Sequence, residues 1–126
     1  MADWHLCDGT GRLVVPNVER ALGLSQRGIG LLGRASLCDT CGLWLEPCNG
    51  VHTWGMRFAI DVVYFDKSGR VLRLYSNVEP RRICFPMRHT RAVLELPSGA
   101  IVRLGLGVGG CYQLKRTSIG EHTEDV

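Results

Sequence analysis

The sequence contains no apolar run long enough to cross a bilayer. Its longest runs, such as Ile60 to Phe65, fall far short of the roughly 18 residues that a spanning helix needs. Near the amino terminus, Asp3 stands where a secretory signal would carry basic residues, and no apolar segment follows it. We therefore expect a protein that does not insert into membranes and that resides in the cytoplasm.

Lysine is scarce as well, because arginine supplies 13 of the 15 basic residues. The one local basic cluster comprises Arg81, Arg82, Arg88, His89 and Arg91. No helix-turn-helix, zinc-finger or RNA-recognition signature accompanies this cluster, which argues against nucleic acid as the partner. The arginines predict either an ordinary solvated surface or a site for phosphate or carboxylate groups, which guanidinium binds through two hydrogen bonds.

No Pro/Ser-rich linker and no internal repeat divides the 126 residues. A chain of this length buries roughly two-thirds of its unfolded surface in one core. We therefore expect a single β-rich domain over residues 1–116. Three acidic residues fall within the last six positions, so residues 117–126 are predicted to form a frayed acidic tail.

The pattern of apolar residues predicts mainly β-strands. Asp66-Lys67-Ser68-Gly69 is typical of a hairpin turn and separates two apolar segments, so the adjoining strands are expected to be antiparallel. Alternation, short apolar runs and flanking turn residues together predict strands at 13–15, 43–45, 51–58, 60–66, 70–78, 91–96 and 111–114.

A helix is predicted directly after the first of these strands. Pro16 is expected to end the strand, and Asn17 is then placed as the N-cap of the helix. Val18 and Ala21 follow at helical spacing, so the helix is expected over residues 18–27.

A second short helix is expected at about residues 98–104, and Gly105 would end it. Three glycines within residues 28–33 predict a tight turn before the strand-rich part of the chain. This segment lacks the Lys-Ser/Thr pair that completes a phosphate-binding loop, and we expect no cofactor.

Four potential zinc ligands follow one another as Cys38, Cys41, Cys48 and His52. The spacing between Cys48 and His52 is looser than in the usual second pair of ligands, and a domain with this much apolar sequence needs no metal to fold. A thioredoxin-like redox motif is the other interpretation of Cys38 and Cys41, but residues 42–45 do not resemble the helix that such a motif opens. We expect reduced, metal-free cysteines.

The second group of reactive side chains comprises His52, Thr53, Trp54, Met56 and Arg57, followed by Asp61. An acid that begins an apolar strand needs a partner, because an unpaired buried carboxylate is costly. Asp61 either has a structural role, accepting hydrogen bonds from backbone N–H groups or from Arg57, or shares one end of a cleft with His52 and Thr53. The functional alternative predicts that His52 and Asp61 lie close together at a concave surface.

The sequence PCNGVHTWGMRFAIDVVYFD at 47–66, with GLLGR at 30–34, AVLELPSG at 92–99 and RLGLGVGG at 103–110, resembles the bacterial and archaeal domain of unknown function 192 family. The resemblance covers about residues 12–115. It implies an α+β, predominantly β fold with a curved, barrel-like antiparallel sheet and one or two short helices. It implies no established activity, and the pair Cys38 and Cys41 is not part of the family pattern.

We therefore predict a small, non-catalytic binding or accessory domain. Its ligand pocket would be formed by His52, Thr53, Trp54, Met56, Arg57 and Asp61, which combine apolar groups with a few polar anchors. The expected partner is a small molecule or a protein. One alternative is a hydrolase-like or lyase-like enzyme in which His52 is the base and Asp61 orients it, and a further alternative is zinc binding through Cys38, Cys41, Cys48 and His52.

Overall fold

The computed structural model describes residues 3–22 and 34–117, which form nine strands and one short helix. The strands are β1 (Trp4–Asp8), β2 (Leu13–Leu22), β3 (Cys41–Glu46), β4 (Val51–His52), β5 (Ile60–Phe65), β6 (Val71–Val78), β7 (Ile83–Cys84), β8 (Ala92–Pro97) and β9 (Tyr112–Arg116), and the helix is α1 (Ala100–Leu104). No helix among these residues is long and apolar enough to cross a membrane.

Seven strands form one mixed sheet in the order β6-β5-β8-β3-β2-β1-β9, and β4 pairs with β7 in a separate two-stranded ribbon. Strands β2 and β3 are parallel, whereas the other neighbours are antiparallel. The expected α+β, predominantly β fold is confirmed. The large sheet is nevertheless not a closed barrel, since β6 and β9 are not paired strands. The bridge between Arg70 and Cys111 and hydrogen bonds such as that from Tyr112 N to Gly69 O join only their first residues. The barrel-like description is corrected to an open sheet.

The hairpin of β5 and β6 confirms the strongest prediction from the sequence. Its turn is held by Asp66, whose Oδ1 accepts hydrogen bonds from the backbone N–H groups of Ser68 and Arg70 and from the Ser68 hydroxyl. Asp8 makes the corresponding three bonds in the turn between β1 and β2. Both turns therefore use a carboxylate to satisfy backbone donors that the strands leave unpaired.

The helix predicted at 18–27 is wrong in its first part, because β2 passes through Pro16 and continues to Leu22. The pairing of β2 with β1 shifts register near Pro16, which marks a β-bulge. As a result Val15 and Val18 enter the same core although an odd number of positions separates them. In the sequence, this separation of three positions resembles the spacing of residues on one face of a helix. The rest of the predicted helix and the turn at 28–33 lie outside the described residues.

The prediction of one long strand over 51–58 is also wrong. Strand β4 ends at His52, and the chain then turns, with a hydrogen bond from Met56 N to Thr53 O and a positive φ of 85° at Gly55. The helix expected at 98–104 is confirmed as α1, which Gly105 ends in the left-handed conformation. Of the predicted tail, only Thr117 is described, and its N–H donates to Asp3 O.

The large sheet separates two cores, which position the candidate site. The helix-side core contains alternate residues of β5 and β8 together with α1, and its members include Val63, Phe65, Leu94, Leu96, Ala100 and Ile101. The ribbon-side core lies on the other face of the sheet, and its members include Leu43, Met56, Ile60, Val62, Tyr64 and Cys84. Because successive residues of a strand point to opposite faces, neighbouring residues of β5 belong to different cores.

Candidate functional site

The ribbon of β4 and β7 lies over the ribbon-side core. Val51 pairs with Cys84, and His52 pairs with Ile83. The hydroxyl of Tyr64 lies within 2.9 Å of the carbonyl oxygens of Cys84 and Phe85 and donates to them, which fixes β7 to the large sheet. The ribbon is thus a firmly attached platform that carries the central part of the sequence-predicted site.

Thr53 is fully buried at the end of this ribbon, where it holds the connection after β6. Its hydroxyl donates to Glu79 O at 2.6 Å and accepts from Arg82 N at 2.9 Å. Its backbone N–H donates to Arg82 O, and its carbonyl accepts from Arg81 N. Both sides of the hydroxyl are thereby committed to the backbone, so Thr53 has a structural role rather than that of a nucleophile.

Replacing Thr53 by valine is expected to lower the free energy of unfolding by about 2 kcal/mol, because Glu79 O and Arg82 N each lose a buried partner. Urea denaturation monitored by tryptophan fluorescence measures this loss. The Thr53→Ser variant keeps the hydroxyl and is the matched control, with a loss clearly smaller than that of valine. Equal losses in the two variants would show that the methyl group, not the hydroxyl, carries the effect.

Asp61 is buried on the opposite side of the sheet, in the helix-side core. It pairs directly with Leu96 of β8, which belongs to that core. Its Oδ2 accepts from the backbone N–H groups of Gly99 and Ile101 at 3.1 and 2.8 Å, and its Oδ1 accepts from Asn77 N at 2.8 Å. A side chain from β5 therefore caps the start of α1, where Gly99 has no side chain to do so.

The structure does not bring His52 and Asp61 together. His52 is exposed on the ribbon, and its Nδ1 accepts from Trp54 N at 3.2 Å, whereas Asp61 is bonded to backbone amides beside α1. The expectation that they meet at a concave surface is wrong, because β5 directs Ile60 to the ribbon side and Asp61 to the helix side. The enzyme alternative thereby loses the residue that was to orient its base.

The six predicted site residues accordingly divide into two groups. Thr53, Met56 and Asp61 are buried, whereas His52, Trp54 and Arg57 are exposed. The segment presents a surface rather than a pocket formed by all six.

Two apolar side chains that the sequence-based site did not include complete this surface. Ile83, opposite His52, is 51% exposed, and Phe85, which directly follows β7, is 68% exposed. Trp54, in the turn after β4, is 51% exposed. We call the surface of His52, Trp54, Ile83 and Phe85 the ribbon face. The alternation of Ile83, Cys84 and Phe85 was the available signal, because Cys84 alone of the three is buried.

Several arginines lie close in sequence to the residues of the ribbon face. Arg57, Arg81 and Arg88 are exposed, and within residues 3–22 and 34–117 none of them forms an ion pair. Arg82 has only a distant contact with Glu79, at 3.9 Å. The surface therefore combines exposed apolar groups with cations that are free to meet an external anion.

The proposed zinc ligands are not assembled. Strand β3 begins at Cys41 and runs five residues further, to Glu46, before the chain reaches Cys48, which separates the two by on the order of 15 Å at about 3.3 Å per residue. Among the described residues, no group of three or more histidine, cysteine or acidic side chains is arranged to hold a metal ion. The zinc alternative is not supported, because an extended strand lies between the two halves of its ligand set.

One buried acid, Glu95 of β8, was not among the residues predicted from the sequence. It is only 5% exposed, and it pairs with Val62 on one side and Leu43 on the other, both in the ribbon-side core. Burial raises the pKa of Glu95 to about 7. The signal for it was a carboxylate in the middle of the apolar run Ala92–Leu96, which marks a strand covered on both faces.

A family model matches most of the sequence and so identifies the family to which the chain belongs. Residues 7–114 match the family DUF192, described as an uncharacterized ACR. The chain belongs to DUF192. This confirms the resemblance drawn from the residues. No curated protein is significantly similar in sequence to this DUF192 chain.

Solved structures similar to this DUF192 domain show the same fold. A protein of unknown function from Novosphingobium aromaticivorans superposes with a TM-score of 0.75 and 23% identity, over 88% of this chain and 83% of that one. A putative transcription regulator from Sinorhizobium meliloti superposes with a TM-score of 0.75 and 22% identity, over 90% of this chain and 95% of that one. A putative exported protein from Burkholderia pseudomallei superposes with a TM-score of 0.51 and 15% identity, over 90% of this chain but only 25% of that one. These identities support the fold alone.

Proposed function

We propose that this DUF192 protein is a non-catalytic binding domain whose ribbon face docks an acidic segment of a partner protein that also carries apolar side chains. The observation that carries the proposal is the position of Trp54, Ile83 and Phe85, which are exposed on a platform fixed to the sheet. Single exposed apolar residues are ordinary, but an exposed apolar face with a polar rim is typical of an interaction site.

The arginines close in sequence to the ribbon face define the chemistry of the partner. Arg57, Arg81 and Arg88 lack ion pairs within the described part of the chain, so carboxylates of a partner can bind them without displacing an internal acid. The basic residues are accompanied by no helix-turn-helix, zinc-finger or RNA-recognition signature in the sequence. These features favour an acidic, apolar polypeptide over single-stranded nucleic acid.

The proposal is tested with three defined probes added to ¹⁵N-labelled protein. They are an octapeptide that alternates glutamate with leucine and phenylalanine, the same peptide with lysine for glutamate, and an oligothymidylate. We expect the acidic peptide to shift the amide signals of residues 52–54 and 83–85, and the lysine peptide to leave them in place. The proposal is overturned if the acidic peptide shifts none of these signals at millimolar concentration, or if the oligothymidylate binds the ribbon face more tightly.

Replacing Phe85 by serine is expected to weaken binding of the acidic peptide roughly tenfold, because an exposed aromatic anchor is lost. Val102→Ser is the matched control, since Val102 is 81% exposed on α1 and lies away from the ribbon face. For the charges, Arg81→Glu should weaken binding, whereas Lys67→Glu in the β5–β6 turn should not. Equal effects of Phe85→Ser and Val102→Ser would place the binding elsewhere.

A further inference from the structure

Cys38 and Cys41, which the ribbon face does not use, lie together in a tight turn at the start of β3. The backbone N–H of Cys41 donates to Cys38 O at 2.9 Å, so the two residues are the first and last of a hydrogen-bonded β-turn. The Cα atoms at the ends of such a turn are less than about 7 Å apart. A disulfide requires about 4.4–6.8 Å between them. The turn therefore holds the two thiols at a separation from which they can be joined.

Contacts from two neighbouring elements hold this turn in place. Asn17 of β2 donates its backbone N–H to Thr40 O and its side-chain Nδ2 to Thr40 Oγ1, both at 3.1 Å. Arg103 of α1 donates to Asp39 O at 2.9 Å. After the turn, Gly42 packs so closely on β8 that an added Cβ would lie 3.0 Å from a Leu96 methyl group. The turn is thus preorganised rather than a loose loop.

The two thiols differ in the way that an attacking and a resolving cysteine differ. Cys38 is exposed, and its Sγ lies 3.2 Å from the Thr40 hydroxyl. Because that hydroxyl already accepts from Asn17, its proton is available to the sulfur. Hydrogen bonds from Cys41 and from Thr40 lower the pKa of Cys38. Cys41 is half-buried, and burial raises its pKa.

Both cysteines line an open cleft of about 850 Å³, which is large enough for a small-molecule ligand. Trp4 lies on its wall, and the Arg20 guanidinium lies over the indole ring, 4.8 Å from its centroid. Arg34, also on the wall, is paired with Glu19 at 3.0 Å. The cleft gives a substrate access to Cys38 and an apolar surface beside it.

We propose that Cys38 and Cys41 are a thiol–disulfide exchange site for small disulfides. The Cys38 thiolate attacks one sulfur of the substrate, the substrate S–S bond breaks, and the released thiolate takes a proton from solvent. Cys41 then gives its proton to solvent and attacks Cys38 Sγ, which expels the second thiolate. The protein loses two electrons and two protons as Cys38 and Cys41 form a disulfide, and the substrate disulfide is reduced to two thiols.

The proposal is tested by mass spectrometry of protein treated with glutathione disulfide. Cys111→Ser is the parent for all variants, because Cys111 is the other exposed cysteine in the described part of the chain. We expect the parent to lose two hydrogens and to yield a peptide cross-linked through Cys38 and Cys41. On this background Cys41→Ser should trap one glutathionyl group on Cys38, and Cys38→Ser should react at least about tenfold more slowly.

Two results would overturn the exchange site. The first is a parent protein that keeps a stable glutathionyl group on Cys38 while Cys41 is present, since the resolving step would then be absent. The second is equal reaction rates for the Cys38→Ser and Cys41→Ser variants, since Cys38 would then not be the attacking group. Circular dichroism of both variants checks that each is folded, and binding of the acidic octapeptide to the ribbon face should be unchanged in both.

Discussion

Substituting asparagine for Asp61 is expected to lower the free energy of unfolding by about 4 kcal/mol. The carboxylate accepts from Asn77, Gly99 and Ile101, all through backbone N–H groups. An amide would turn an NH₂ group toward at least one of these donors, and the site is sealed from the water that could replace the lost acceptor. Urea denaturation measures the loss, and amide exchange in α1 should rise with it.

The chain provides a matched control in Asp66, which also accepts three hydrogen bonds but lies in an exposed turn. Water can replace the lost acceptor in Asp66→Asn, so its loss of stability should be much smaller than that of Asp61→Asn. Similar losses in the two variants would contradict the capping role of Asp61. The same comparison explains why Asp61 is not available to a catalytic histidine.

Glu95 is expected to make the protein less stable as the pH rises. Its folded pKa of about 7 lies above its ordinary value of 4.5, so between these pH values the folded state keeps a proton that the unfolded state has lost. The free energy of unfolding should therefore fall by about 3 kcal/mol as the pH rises through this window, and this contribution should level off above it. Urea denaturation at pH values from 4 to about 8.5 measures how the free energy of unfolding changes with pH.

The Glu95→Gln variant removes the carboxyl group while keeping its shape. It should be more stable than the parent by about 3 kcal/mol above pH 7, and nearly equal to it at pH 4. Glu79→Gln is the control, because Glu79 is exposed, and it should keep the parental slope. Glu46 does not obscure the test: hydrogen bonds from Trp44 and Arg91 outweigh its burial and lower its pKa, so its contribution is lost only below pH 4.5. An unchanged slope in Glu95→Gln would contradict the interpretation.

The local parts of the fold could be predicted from the sequence, whereas the parts that depend on distant strands could not. The β5–β6 hairpin follows from alternation and from the turn at Asp66, both of which lie within one segment of chain. The second half of β2, from residue 18 onward, has the apolar spacing of a helix because a bulge near Pro16 changes which residues face the core. A bulge depends on the partner strand, which no local pattern reveals.

The candidate site was predicted only in part for the same reason. The segment from His52 to Arg57 was recognised, but the face of the sheet on which Asp61 lies depends on its pairing with β8, 35 residues later. Ile83 and Phe85 belong to the surface because β7 pairs with β4, a contact between segments about 30 residues apart. The burial of Glu95 depends on the two strands that flank β8, which the local sequence does not reveal.

Strand β8 lies between the two parts of the large sheet, with β5 and β6 on one side of it and β3, β2, β1 and β9 on the other. The bridge between Arg70 and Cys111, which also joins the two parts, needs a residue that follows β8 in the chain. During synthesis on the ribosome, a chain that has not yet passed residue 97 cannot join these parts. The edges of β3 and β5 then stay open, and such edges readily pair with other chains. Completion of this domain therefore waits for its last quarter to emerge.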